Sequence, residues 1–278
     1  MVTLIENSPV ISTTILKHLL KSLIAKGQPI ATQISKGIFH KTAEYIAHPL
    51  CEQLNYELEK QLEKDAGDDS GGGSSTTSSK ERASLFKSIV ALTMITSRLL
   101  LETIPILIKH LKSENLNTRS SVVQLLGTMF NRPESTLVED YQELFKTFVD
   151  RSRDVEPRIR IYMAKFLQTM LLNHGNREQW IMELLNERLV ERARDSDEKV
   201  RRNICEAIVA VLKQNSDLVT METIQVLAER ARDKRVALRI HVMKLISEVW
   251  RDNSGQGDKI EWISNCVVHA SCTVPNHA

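Results

Sequence analysis

One pattern recurs in this chain and limits its fold more than any other feature: an aspartate, four residues of any kind, an aliphatic residue and an arginine. It reads "DVEPRIR" from Asp154 to Arg160, "DSDEKVR" from Asp195 to Arg201 and "DKRVALR" from Asp233 to Arg239. An earlier copy, "SENLNTR", puts Ser113 in the aspartate position and Thr118 before Arg119. The four arginines stand 41, 41 and 38 residues apart. Each copy is followed by a run with helical spacing of apolar residues: "SSVVQLLGTMF", "IYMAKFLQTMLL", "RNICEAIVAVL" and "IHVMKLISEVW". Amphipathic segments such as "LFKTFV" and "WIMELLNERLV" precede the turns.

The repeating unit is therefore helix, short polar turn, helix, at about 40 residues, the period of HEAT and armadillo arrays. Such a unit cannot bury its apolar faces alone, so neighbours must stack. The chain is predicted to be all-α, an elongated right-handed α-solenoid of HEAT-type helical hairpins. Composition agrees, since 10 glycines, 7 prolines and 5% aromatics among 278 residues leave few turn formers and many straight-chain helix formers. The aliphatic residue before each arginine is expected to begin the buried stripe of the second helix.

The recurring spacing of charge suggests scaffolding. An aspartate in the turn can accept hydrogen bonds from the free N–H groups where the second helix starts, and its charge suits that helix end. The arginine has five donors in a fixed fork, able to reach this carboxylate or the next repeat's. Asp154, Arg160, Asp195, Arg201, Asp233 and Arg239 are read as such a structural ladder. Further basic residues fall around equivalent turns: Arg151, Arg153, Arg158, Arg192, Arg194, Lys199, Arg202, Arg230, Arg232, Lys234 and Arg235. They are candidates for a partner-binding rim, set against a solvated scaffold face and a nucleic-acid or polyphosphate contact. Residues 151–202 hold twelve Lys and Arg against nine Asp and Glu, a surplus too small for strong DNA binding. The whole chain, at +2, is equally near balance.

Four regions are expected. Residues 1–63 are amino-terminal helical repeats with breaks at Pro29 and Pro49, and residues 64–81, which include "SGGGSSTTSS", are a flexible acidic and Gly/Ser linker or loop insertion. Residues 82–253 are the HEAT-repeat array, with Pro105 kinking its first helix. Residues 254–278 are a short helix through "KIEWISNCVV" and a frayed tail.

Enzyme chemistry finds little to stand on. The sequence lacks GxSxG, P-loop, HExxH and EF-hand patterns, and Asp197 and Glu198 beside Asp195 are adjacent turn residues that need not converge on a substrate. No catalytic residue and no cofactor are assigned. Cys266, His269, Cys272 and His277 are zinc-compatible donor types, but no turn gathers them, so no metal is required. Cys51, Cys205, Cys266 and Cys272 are read as buried or free thiols in a reducing compartment. No uninterrupted apolar run of 18 residues and no signal-peptide pattern occur, so no membrane association is expected.

Several strings together carry a resemblance: "IPILIKHLKSENLNTRSSVVQLLGTMF", "ELFKTFVDRSRDVEPRIR", "MLLNHGNREQWIMELLNERL" and "ARDKRVALRIHVMKLISEVW", in this order. With "SPVISTTILKHLLKSLI", "AEYIAHPLCEQLNYEL" and "KIEWI" they resemble the HEAT-repeat cohesin regulators of the precocious-dissociation-of-sisters family, over roughly residues 7–265. Gly175 stands where "NHP" is more usual, and "CVVHASCTVPNHA" departs from the pattern. The resemblance implies an amino-terminal to middle section of a longer solenoid, with no enzymatic activity. It implies binding to the kleisin subunit of cohesin, to a Wapl-type release factor, and to a sororin-like protector or the cohesin acetyltransferase, on chromosomes in the nucleus. Inositol hexakisphosphate binding is implied for the family without ligands that can be assigned here. The residues themselves leave open a HEAT-type adaptor for transport or proteolysis, and a nucleic-acid-binding solenoid.

Overall fold

The computed structural model describes residues 13–24, 29–67, 76–95, 100–133 and 135–253. Leu16, Leu19 and Leu23 recur at steps of three and four and are buried, giving helix α1, Thr13–Leu23. Helix α2, Pro29–Gly67, is held by a stripe with one leucine or isoleucine every fourth residue: Ile46, Leu50, Leu54, Leu58 and Leu62, all buried. Pro29 opens this helix, at a position where a missing N–H costs nothing. The expected break at Pro49 is corrected, because α2 runs through it. A proline frees the carbonyl four residues earlier, here that of Tyr45, and Tyr45 stands on the exposed side while the buried stripe continues opposite.

Helices α3 (Thr76–Thr93), α4 (Ile104–Leu111), α5 (Leu116–Phe130), α6 (Leu137–Asp140) and α7 (Gln142–Val149) follow. Pro105 lies in the first turn of α4, so it starts that helix and does not kink it. Of the segment 64–81, helix covers both ends, since α2 extends to Gly67 and α3 begins at Thr76, and residues 68–75 lie outside the described residues. Residues 254–278 lie outside them too, and with them "KIEWISNCVV", Cys266, His269, Cys272 and His277.

The chain divides into two compact units, Met1–Phe148 and Val149–Ala278. In the first, α1, α2 and α3 pack on one another and α5 packs on α2, α3 and α4. Phe130 closes this core edge-on against Phe145, with ring centroids 5.1 Å apart. The second unit holds a 3-10 turn, Asp150–Arg153, then α8 (Pro157–His174), α9 (Gln179–Ala193), α10 (Glu198–Gln214), a second 3-10 turn, Ser216–Leu218, α11 (Met221–Arg230) and α12 (Val236–Asn253).

Within this second unit, α8 packs on α10 and α10 on α12, while α9 packs on α11, and each hairpin closes as α9 on α10 and α11 on α12. These are the two layers of a HEAT-type solenoid, and no strand occurs among the described residues. Ile159, Val200 and Leu238, the aliphatic residues before the arginines, are fully buried and head the inner stripes of α8, α10 and α12. Between the hairpins, buried Asn186 of α9 donates to the Leu218 carbonyl at 2.8 Å. Its Oδ1 accepts from Thr220 N at 3.1 Å and Thr223 Oγ1 at 2.8 Å, which fixes the start of α11.

Candidate functional site: an arginine ladder and its basic rim

The turns ahead of α8, α10 and α12 share one construction. In each, the aspartate Oδ1 accepts from the N–H two residues on: Asp154 from Glu156 at 3.0 Å, Asp195 from Asp197 at 2.9 Å, Asp233 from Arg235 at 3.0 Å. These aspartates therefore brace the turn, and the expected capping of the helix start is corrected. Before α10 that task belongs to Asp197, whose side chain accepts from Lys199 N and Val200 N.

The arginine of the pattern lies at the head of the second helix and faces two ways. One end of Arg160, Nη1, donates to the carbonyls of Asp154 and Val155 in its own turn, at 2.8 and 3.0 Å. The other edge, Nε and Nη2, grips the Asp195 carboxylate of the following turn with two bonds of 2.9 Å. Arg201 repeats this: Nη1 reaches the carbonyls of Asp195 and Ser196 at 2.9 and 3.1 Å, and Nε and Nη2 hold Asp233, both at 2.9 Å. Arg119 donates to the carbonyls of Ser113 and Glu114 at 2.8 and 2.7 Å, and Arg239 to that of Asp233 at 2.8 Å.

A third group joins each node from the end of the first helix. Arg151 meets Asp154 at 3.3 Å, Arg192 meets Asp195 at 2.8 Å and Arg230 meets Asp233 at 3.0 Å. Asp195 thus accepts four hydrogen bonds, as does Asp233, filling the capacity of a carboxylate. Burial is the largest influence on the Asp195 carboxyl and pushes it up. The hydrogen bonds from Arg160 and the Asp197 N–H, with the charges of Arg160 and Arg192, outweigh it and hold the group below the usual carboxylate range. Asp233 balances in the same way between burial and Arg201, the Arg235 N–H and Arg230, and is also held low.

Outside this buried ladder runs an exposed one. Arg153 grips Glu191 at 2.9 and 2.7 Å, and Arg194 meets Glu229 at 3.3 and 3.2 Å. Both acids sit four residues ahead of the next turn's aspartate. Arg188, which the sequence pattern did not single out, is buried and donates to Asp150 at 3.0 Å.

The eleven candidate rim residues thus separate. Arg151, Arg192 and Arg230 are half-buried and pair with the turn aspartates, so their guanidinium groups face inward. Arg153 and Arg194 are exposed but paired. Arg158 donates to Tyr162 Oη at 3.2 Å, and Arg235 stands 3.6 Å from Glu198. Lys199, Arg232 and Lys234 are exposed and Arg202 is half-buried. Among the described residues no cluster of three His, Cys, Asp or Glu is arranged to hold a metal ion.

Comparison with known proteins places this geometry. The family model of the sister chromatid cohesion protein PDS5 matches residues 1–276. PDS5 homolog B of Gallus gallus is 26% identical over 269 residues, covering 90% of this chain and 19% of that protein. Homo sapiens PDS5 homolog B is likewise 26% identical over 90% of this chain and 18% of its own length. The chain thus spans about a fifth of the length of the curated relatives it matches. A solved structure of the Pds5-Scc1 complex superposes with a TM-score of 0.74 at 16% identity, covering 95% of this chain and 41% of that one, and shares the fold. With a family match running from the first residue to the 276th, over a stack of HEAT-type hairpins, this chain belongs to the PDS5 sister chromatid cohesion family.

Proposed function

We propose that this chain is a non-catalytic section of a cohesin-binding scaffold, docking the kleisin subunit on the basic rim of its turns. The observation that carries this reading is the separation of the charges. The ladder consumes Arg160, Arg201 and the three inward arginines, while Arg158, Lys199, Arg202 and Lys234 keep positive side chains at the turn surface of a PDS5-family chain. Paired charges buried in the ladder hold structure, and cations at the rim suit an acidic peptide segment. The same reading places the protein on chromosomes in the nucleus. It includes a Wapl-type release factor, a sororin-like protector or the cohesin acetyltransferase as further partners, and control of cohesin release as the outcome.

The test is a pull-down of purified kleisin by the 278-residue chain. Arg158→Glu, Lys199→Glu and Arg202→Glu together should abolish capture while leaving the thermal midpoint in place. Capture unchanged by the triple substitution, or no capture by the parent chain, would refute this reading.

A further inference from the structure

The clefts of the first unit differ in charge. One between α1, α2 and α3 is lined by four lysines, but Glu57 and Glu81 stand among them, and Glu57 meets Lys17 at 3.4 Å and Glu81 meets Lys64 at 3.7 Å. Another, between α1 and α2, is lined by Ile15, Ile34 and Ile38 and by no lysine, arginine or carboxylate. A third, of about 560 Å³, is lined by Lys36, Lys87 and Arg132 and by no carboxylate. All three of these cations are exposed, and none forms an ion pair among the described residues.

The walls of this third cleft are helices that pack on one another, α2 on α3, α2 on α5 and α3 on α5, so they belong to the interior of the unit's fold and not to an end of the stack. Each helix brings one stripe. Helix α3 gives Phe86, Val90 and, just past its end, Met94, each one turn on from the last, with Lys87 beside Phe86. Helix α5 gives Leu125 and Thr128, continued by Arg132, and α2 gives Thr32 and Lys36. Val90 and Leu125 are buried, Phe86 is half-buried and Met94 is 39% exposed, so the floor is apolar and its outer part is uncovered.

Like charges gathered over an apolar floor repel one another, and low-dielectric walls concentrate their field in the opening. An anion relieves that repulsion, while the floor favours apolar surface. Because the cations stand on three separate elements, the negative groups must approach from more than one side of the floor. A peptide with acids on both sides of one apolar residue meets all of these demands. Thr128 Oγ1 already donates to the Gln124 carbonyl at 2.8 Å, which leaves it an acceptor for a peptide N–H.

We propose that this cleft docks a short acidic segment of another protein. One large apolar side chain sits on Phe86, Val90 and Met94, and carboxylates on either side of it are held by Lys36, Lys87 and Arg132. This inference concerns the first unit and does not depend on the cohesin reading, whose cations lie at the turns of the second.

The probe is the peptide Gly-Glu-Asp-Glu-Leu-Glu-Asp-Glu-Gly labelled with fluorescein, titrated against the 278-residue chain at low salt and read by anisotropy. Saturable binding is expected. It should weaken about tenfold or more when the leucine of the peptide becomes serine, and as much when the protein carries Lys36→Gln, Lys87→Gln and Arg132→Gln together. These side chains are exposed, so the thermal midpoint should stay in place. Lys36→Gln alone should weaken binding by a smaller factor, and serves if the triple variant loses its midpoint. Arg158→Gln with Lys199→Gln, on the turn rim of the second unit, should leave binding unchanged. No saturable binding, or binding that survives the loss of the cleft cations or follows the rim pair instead, would overturn the proposal. Binding indifferent to the leucine, or displaced by inorganic phosphate alone, would overturn it too, because a charged surface without an apolar anchor would then explain the result.

Discussion

Replacing Asp195 by alanine removes one acceptor from three separate donors. The side chain is 1% exposed and receives both bonds of the Arg160 fork, one from Arg192 and one from the Asp197 N–H. Arg160, itself 9% exposed at the side chain, would be left with its Nε/Nη2 edge buried and unpaired. Removing one member of a buried ion pair costs about 3–5 kcal/mol, because the remaining charge stays desolvated. Asp197, in the same turn, only caps α10, so Asp197→Ala should cost about 0.5–2 kcal/mol. Arg194→Ala breaks an exposed pair with Glu229 and should cost no more than about 1 kcal/mol. Urea unfolding followed by far-UV circular dichroism ranks the three, with the slope checked for constancy. If Asp195→Ala cost no more than Asp197→Ala, the carboxylate would be no more than a turn brace and the ladder reasoning would fail.

Three further outcomes follow from the same geometry. Asp195 and Asp233 have folded-state pKa values below those of the unfolded chain, so their stabilisation is present above about pH 3.9 and is lost as pH falls through the lower folded values. Acid titration of the unfolding free energy should show this loss, and Asp195→Asn should flatten it while lowering the plateau. Gly175→Ala puts a Cβ 2.5 Å from the Leu171 carbonyl oxygen and 2.9 Å from Leu218 Cδ2, and backbone cannot yield as a side chain can. A destabilisation of about 1–3 kcal/mol is expected, and an unchanged urea midpoint would contradict it. Burial pushes the Cys205 thiol up to about 12, so it should resist a thiol reagent at neutral pH in the native chain and react once urea unfolds it.

The six-residue step from aspartate to arginine was legible because it spans a single turn, and a turn is local. With it came the hairpin period and the buried positions of Ile159, Val200 and Leu238. Where each arginine reaches was not legible, since the partner aspartate lies 35 or 32 residues away and is brought near by stacking alone. The inward role of Arg151, Arg192 and Arg230 depends on the pitch of the last turn of the preceding helix, which places a residue three ahead of the aspartate beside it. Pro49 misleads in the other direction: local propensity argues for a break, and the buried leucine stripe of α2 overrides it. Arg188 and Asn186 give no local sign at all, because their partners Asp150 and Leu218 belong to neighbouring turns.

The central claim is that an arginine at the head of one hairpin holds the turn of the next, and a double-mutant cycle on Arg201 and Asp233 measures it most directly. Arg201→Met, Asp233→Leu and the double variant are compared with the parent by urea unfolding. The two side chains share two bonds of 2.9 Å and are 3% and 1% exposed, so the cycle should give a favourable coupling of about 1–3 kcal/mol, with the double variant costing less than the sum of the singles. Strict additivity, with no coupling between the two positions, would contradict the account.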